Sequence, residues 1–262
     1  MNEIKETIAI LKARWPEVFL IVGIQALSMF GSELFPQVTE INLILGLSII
    51  ACMLALVVIV VLLPVGFLRT VHLEGPKRQY PLDLLRVGKH FFWRTIRVGL
   101  LWMPAYLLLA WMVFMVAKRP EVTDTGFWET AETDPLVFYC CFAVSRLILI
   151  KPVLLILPIV IVTDCRISTS FGLLKRCRLS DAEGPVALFV ASTSLTVLLA
   201  FLPPANSVPS ISQHIVRTLM SLTQIFVTLM VAVTAVRFVG SLNLANDRNP
   251  SLPDFSGSSE EE

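Results

Sequence analysis

"INLILGLSIIACMLALVVIVVLLPVGFL" runs from Ile41 to Leu68 without a single charged side chain. A helix that crosses the ~30 Å hydrocarbon layer needs about 20 mostly apolar residues. Inside lipid no water is present to satisfy N–H and C=O groups, so a single crossing segment closes its hydrogen bonds within itself, as an α-helix. This stretch therefore sets the class of the chain: an all-α, polytopic membrane protein. The composition agrees. Of 262 residues, 55% are hydrophobic and only 16% charged, with a mean hydropathy of +0.76, whereas soluble domains carry about 25% charged residues.

Working outward, five further apolar segments bring the expected spans to six, at about 17–35, 41–68, 96–117, 136–163, 185–202 and 216–242. The fifth is short, bounded by Pro185 and by Pro203-Pro204. All six fall in one membrane domain, 1–244. The remaining 245–262, rich in Pro, Ser and Gly and ending in three glutamates, reads as a disordered acidic tail. The opening "MNEIKETIAILKARWPEVF" mixes acids with bases and has no small-residue cleavage site, so it is not read as a signal peptide. Ile4, Ile8 and Leu11 recur at helical spacing, which predicts an amphipathic helix at the membrane surface. Trp15 is then expected at headgroup depth, with Pro16 opening the next helix.

The connecting segments set the expected orientation. The N-terminal segment, 69–97, 164–184 and the C-terminal end together hold sixteen of the 21 Lys and Arg. The opposite side holds Lys118, Arg119 and Arg217. Such an excess of bases marks the cytoplasmic side. Both termini are expected to be cytoplasmic, with the protein in a bacterial inner (plasma) membrane. Glu17 and Glu33, near the two ends of the first span, read as interfacial.

Weak internal similarity suggests a threefold repeat of helix pairs. "AILKARW" (Ala9–Trp15), "DLLRVGKHFFW" (Asp83–Trp93) and "GLLKRC" (Gly172–Cys177) each place aliphatics before a base ahead of a span, so each unit is expected to be an amphipathic interfacial helix, a span, a short outer loop and a second span. "VVLLPVGFLRT" (Val60–Thr70) aligns with "LLILPIVIVTD" (Leu154–Asp164), Pro64 facing Pro158. Repeats of this kind are common in membrane proteins. The string "LPIVIVTDCRISTSFGLLKRC" closes a span, then adds an acid, a short polar stretch and an amphipathic helix. In this it resembles bacterial six-helix membrane proteins of poorly defined function, including the membrane domain attached to some glycerophosphodiester phosphodiesterases. The resemblance covers about 80–245 in layout. It implies an all-helical membrane domain and no defined activity. No stretch between the spans is long enough for a catalytic barrel, so phosphodiesterase activity is not carried over.

The residues themselves supply no catalytic constellation. His72 and His90 are expected on one side of the membrane and His214 on the other. The five cysteines, Cys52, Cys140, Cys141, Cys165 and Cys177, form no CxxC or Cys/His cluster. No zincin, nucleophile-elbow or phosphate-loop string occurs. The expectation is a protein that is not an enzyme and has no cofactor, no metal and no nucleic-acid partner. Membrane lipids are its expected partners, with a membrane-protein partner or a second copy as further ones. In "PKRQYPLDLLRVGKHFFWRTIR" (76–97), Arg86, Lys89, Arg94 and Arg97 interleave with apolar residues. These four are candidate lipid-headgroup contacts, since bases beside a span attract anionic lipid at about 1 kcal/mol each; the plainer alternative is that they only set topology. Ser192, Thr193, Ser194 and Thr196 in the fifth span, and Ser221, Gln224 and Thr228 in the sixth, suit helix–helix hydrogen bonding.

The last clue is "SRLILIKPVLL" (Ser145–Leu155), where Arg146 and Lys151 sit in apolar surroundings. Charges inside a membrane segment point first to function, so both are candidate anion or substrate contacts. A second reading competes. The segment 136–163 is too long to stand upright in about 30 Å of hydrocarbon. On a straight helix crossing with residues 147–163, Arg146 lies at the outer boundary and Lys151 snorkels outward. Pro152 favours a kink beside Lys151. The two charges are about 140° apart on an ideal helix and do not naturally cluster. Two functional expectations follow. The first is a structural, lipid-contacting or partner-binding membrane component. The alternative is a small transporter or channel subunit for an anionic or lipid-like substrate.

Overall fold

The computed structural model describes residues 2–34, 43–117, 135–199 and 211–242. Its elements in chain order are α1 (Asn2–Ala13), α2 (Trp15–Leu34), α3 (Leu43–Glu74), α4 (Pro81–Ala117), α5 (Pro135–Ile148), α6 (Ile150–Thr163), α7 (Ile167–Arg176), a single 3₁₀ turn at Leu179–Asp181, α8 (Glu183–Leu199) and α9 (Ile211–Ser241). No strand occurs among the described residues. Among the described residues three helices are long and apolar enough to cross a membrane: Leu54–Glu74 of α3, Pro81–Val116 of α4 and Thr218–Ser241 of α9. Counting α5 and α6 as one bent span makes four. The first and fifth expected spans correspond to shorter apolar helices, Trp15–Ser28 and Glu183–Leu198. The expected acidic tail 245–262, and residues 118–134 with Lys118 and Arg119, lie outside the described residues.

Two segments differ from the sequence expectation. The stretch around Asp83–Trp93 is not a separate surface helix. It forms the first turns of α4, which runs 37 residues without a break, about 55 Å at 1.5 Å per residue. Leu84, Phe91 and Val98 are buried at 7-residue steps along it, so one helical period carries the segment straight into the apolar run. The fourth segment is not one straight helix either. It bends by 62° between α5 and α6. Pro152 removes the N–H that would reach the Ile148 carbonyl, and its ring crowds that carbonyl. The break falls at Leu149, with ψ of 20°, one turn before the proline. The straight-helix register that placed Arg146 at the outer boundary therefore does not apply.

The core is concentrated where α6 meets the ends of α3 and α9. Leu155, Ile156, Ile159, Val160 and Ile161 of α6 have no exposed surface, and neither do Phe67 and Val71 of α3 or Val233, Val236 and Val239 of α9. α9 is the hub, touching α1, α2, α3, α6 and α8. The expected surface helix α1 packs on it through Thr7, whose hydroxyl meets that of Thr234 at 3.1 Å. Ile10 and Leu11 are buried while Ile8 stays half exposed. α3 and α4 approach most closely at two glycines. A Cβ on Gly66 would lie 1.9 Å from the Leu84 carbonyl oxygen, and one on Gly88 2.2 Å from that of Leu62. Small residues let backbones meet in this way in membrane bundles. Away from this core the helices expose apolar side chains, among them Leu54, Leu100, Met103, Leu108 and Val116.

Candidate functional site

Arg146 is set into the bundle by the last turn of α5. Its Nη1 donates to Thr196 Oγ1 of α8 at 3.4 Å, and its guanidinium lies over the Phe189 ring, 5.0 Å from the centroid. Gln224 Nε2 of α9 donates to the same Thr196 at 2.9 Å and to Ser192 Oγ at 3.2 Å. Ser192 and Thr228 hydroxyls are 3.5 Å apart. Of the residues expected to join the last two spans, Ser192, Thr196, Gln224 and Thr228 do so, whereas Thr193 bonds the Phe189 carbonyl of its own helix and Ser194 is exposed; Arg146 stands at the end of this ladder. Thr196 lies in the last turn of α8, three positions before Leu199, and the Arg146 side chain that reaches it is half-buried.

Two cavities meet at this arginine. One of about 160 Å³ is lined by Arg146, Leu154, Phe189, Ser192, Thr228 and Val231 among others. The other, about 530 Å³, is a side-opening cleft between α4 and α5 lined by Gly99, Trp102, Met103, Tyr106, Leu107, Phe142, Arg146 and Val153. Trp102 Nε1 is buried there without a hydrogen-bond partner among the described residues. Tyr106 donates its hydroxyl to the Phe142 carbonyl at 3.2 Å. Lys151 takes no part. It lies past the bend, close enough to Cys177 for its ammonium to oppose the burial that pushes that thiol up. The structure does not bring the two candidate charges together.

The four candidate headgroup contacts on α4 also divide. Arg86, Lys89 and Arg97 are exposed on one face, spaced by three and eight residues, so they stay within about 80° of each other. Trp93, 67% exposed, stands between them, which makes a basic-aromatic stripe suited to headgroup depth. Arg94 turns away. It pairs with Asp164, the left-handed C-cap of α6, and His90 Nε2 lies 3.3 Å from the same carboxylate. Burial alone would raise the Asp164 carboxyl, but bonds and charge from Arg94 and His90 outweigh it and hold it below the usual carboxylate value. Nearby, Arg69 of α3 donates to the Ile161 and Val162 carbonyls at 2.6 and 2.8 Å, capping α6 with a cation. Phe91 lies between Arg69 and Arg94, facing both guanidinium groups.

Sequence reasoning missed a third cluster. Arg14, counted only as a topology base, is completely buried, and Glu17, expected at the interface, is 5% exposed. The two form an ion pair across the α1–α2 elbow, with Arg14 Nε donating at 2.8 Å. Arg14 Nη2 also reaches Thr70 Oγ1 at 2.9 Å, and Glu17 Oε1 accepts the Gln79 amide at 2.8 Å. The i,i+3 spacing of Arg14 and Glu17 was the available signal. Nothing local says that α3 closes over it. Among the described residues no three His, Cys, Asp or Glu side chains gather as a metal site. No family model, curated protein or solved structure matches the chain.

Proposed function

We propose that the chain is a six-span membrane protein, built on three helix pairs with both termini cytoplasmic, that acts by contacting lipid rather than by catalysis. The α4 stripe carries this reading. Arg86, Lys89 and Arg97 with Trp93 face outward on the same helix that continues into an apolar run. On a helix that leads directly into a span, Arg97 lies nearest the apolar run, with Lys89 and Arg86 about 12 and 16 Å further along the axis. A base at the height of lipid phosphates contributes about 1 kcal/mol near an anionic surface, and those further out contribute less as the field decays. The exposed apolar half of α4, including Leu108, Met112 and Val116, suits acyl chains or a second membrane-embedded chain.

The test is thermal unfolding of the full chain in mixed micelles titrated with phosphatidylglycerol. The wild type gains stability with anionic lipid, and salt weakens the gain; R86Q/K89Q/R97Q loses most of it. An equal gain in the variant refutes the reading. The alternative, a small transporter or channel subunit for an anionic or lipid-like substrate, draws on the two cavities that meet at Arg146.

A further inference from the structure

We infer that the α4–α5 cleft is a binding site for one anionic lipid, whose phosphate or carboxylate head pairs with Arg146 while its chain lies along α4. The site is separate from the α4 stripe and does not rest on it.

The first argument is charge. Arg146 carries five N–H donors, and its one hydrogen bond to the described residues is the long one to Thr196. It has no carboxylate within ion-pair distance among them, unlike Arg14, Arg94 and Arg237. A half-buried cation among apolar helices is costly and calls for an anion or a polar path. The neutral ladder of Ser192, Thr196, Gln224 and Thr228 offers dipoles but no negative charge.

The second argument is the composition of the cleft. The cleft holds one charged group, the Arg146 guanidinium, and the Tyr106 hydroxyl in it already donates to the Phe142 carbonyl. A cation beside Gly99, Met103, Leu107 and Val153 makes an amphipathic receptacle. Its volume of about 530 Å³ falls within the range of small-molecule pockets.

The third argument is access. Met103 is 60% exposed and Val153 37% exposed, so the cleft opens sideways between α4 and α5, the direction from which a bilayer lipid arrives.

Gly99 supplies a clean obstruction. It lines the cleft, yet a Cβ there meets nothing within 4 Å. The first carbon of a side chain at Gly99 therefore meets open space, and Gly99→Leu adds bulk at the cleft wall. Arg146→Gln removes the charge and strands no carboxylate among the described residues.

The test is native mass spectrometry of the full chain released from nanodiscs of phosphatidylcholine alone, or with added phosphatidate or oleate. The wild type retains one tightly held anionic adduct. Which of the two anions it prefers tells a phosphate head from a carboxylate head. R146Q and G99L weaken that adduct by about 10- to 100-fold, the worth of hydrogen bonds to a charged group, and R86Q/K89Q/R97Q retains it. Retention of the adduct by R146Q overturns the inference, and so does the absence of any adduct beyond phosphatidylcholine. Comparison with the stripe variant keeps failure here distinct from failure of the proposed lipid-surface role. Far-UV circular dichroism of each variant shows that the comparison is made between folded proteins.

Discussion

Gly88→Ala should unfold this bundle more easily, although alanine is the better helix former. An ideal Cβ at Gly88 lies 2.2 Å from the Leu62 carbonyl oxygen, where ordinary contact begins at 3.4 Å. The atom in the way is main chain, so no side-chain rotation relieves the clash. α3 and α4 must part by about an ångström over the length of their contact, the largest between any two helices here. Overpacking costs about 1–3 kcal/mol and more when backbone must move. Replacing a mid-helix glycine returns at most about 1 kcal/mol. The net loss is therefore about 2 kcal/mol. Gly66→Ala, at 1.9 Å from the Leu84 oxygen, should lose at least as much. Gly99→Ala is the control, since its Cβ meets open space and only the helix-propensity gain remains. The assay is unfolding of the purified protein in mixed micelles by added dodecyl sulfate, followed by circular dichroism and by thiol labelling. Cys165 and Cys177 are 2% and 1% exposed and react only when the fold opens. If Gly88→Ala and Gly99→Ala unfold at the same detergent fraction, the close approach of α3 and α4 is wrong.

Two further outcomes are expected. Glu17→Gln leaves Arg14 buried without a counter-charge and should cost about 3–5 kcal/mol, while Arg14→Met/Glu17→Leu, which removes both charges, should cost much less; the same unfolding assay decides, and equal losses would refute the pairing. Asp164 is held below the usual carboxylate value, so its ion pair stabilises the fold above the unfolded-state value of about 3.8 and is lost as pH falls through the lower folded value. At 44% exposure the pair is worth under about 1 kcal/mol. The stability gap between wild type and Asp164→Asn should close as pH falls below about 4; a gap that persists unchanged down to about pH 2 would refute the ion pair.

Much of the class and little of the site can be read in the linear chain. The uncharged run Ile41–Leu68 sufficed for an all-α protein with helices long enough to cross a membrane, because hydropathy and helical period are properties of consecutive residues. Pro152 foretold a kink, since the missing N–H is local too; the bend of 62° is what neighbouring helices made of it. The hydroxyl residues of α8 and the Gln224–Thr228 face of α9 were legible as packing groups, because their helical spacing puts them on one side. Arg146 stood out as a charge among apolar residues. The sequence by itself, however, offered the membrane boundary as readily as the bundle interior for it.

Tertiary structure decided the partners. Arg146 lines a cleft that Lys151 does not, because α5 and α6 diverge between them. Arg94 leaves the exposed stripe because Asp164 comes to it from 70 residues away. Arg14 is buried because α3 brings Phe67 and Thr70 over the α1–α2 elbow. Composition and period determined which segments become helices and that they belong in lipid, since each residue contributes to those sums independently. Whether a given charge is paired, capped or left facing an empty cleft depends on which helices meet. That choice is made by packing across dozens of residues and is written at no single position in the chain.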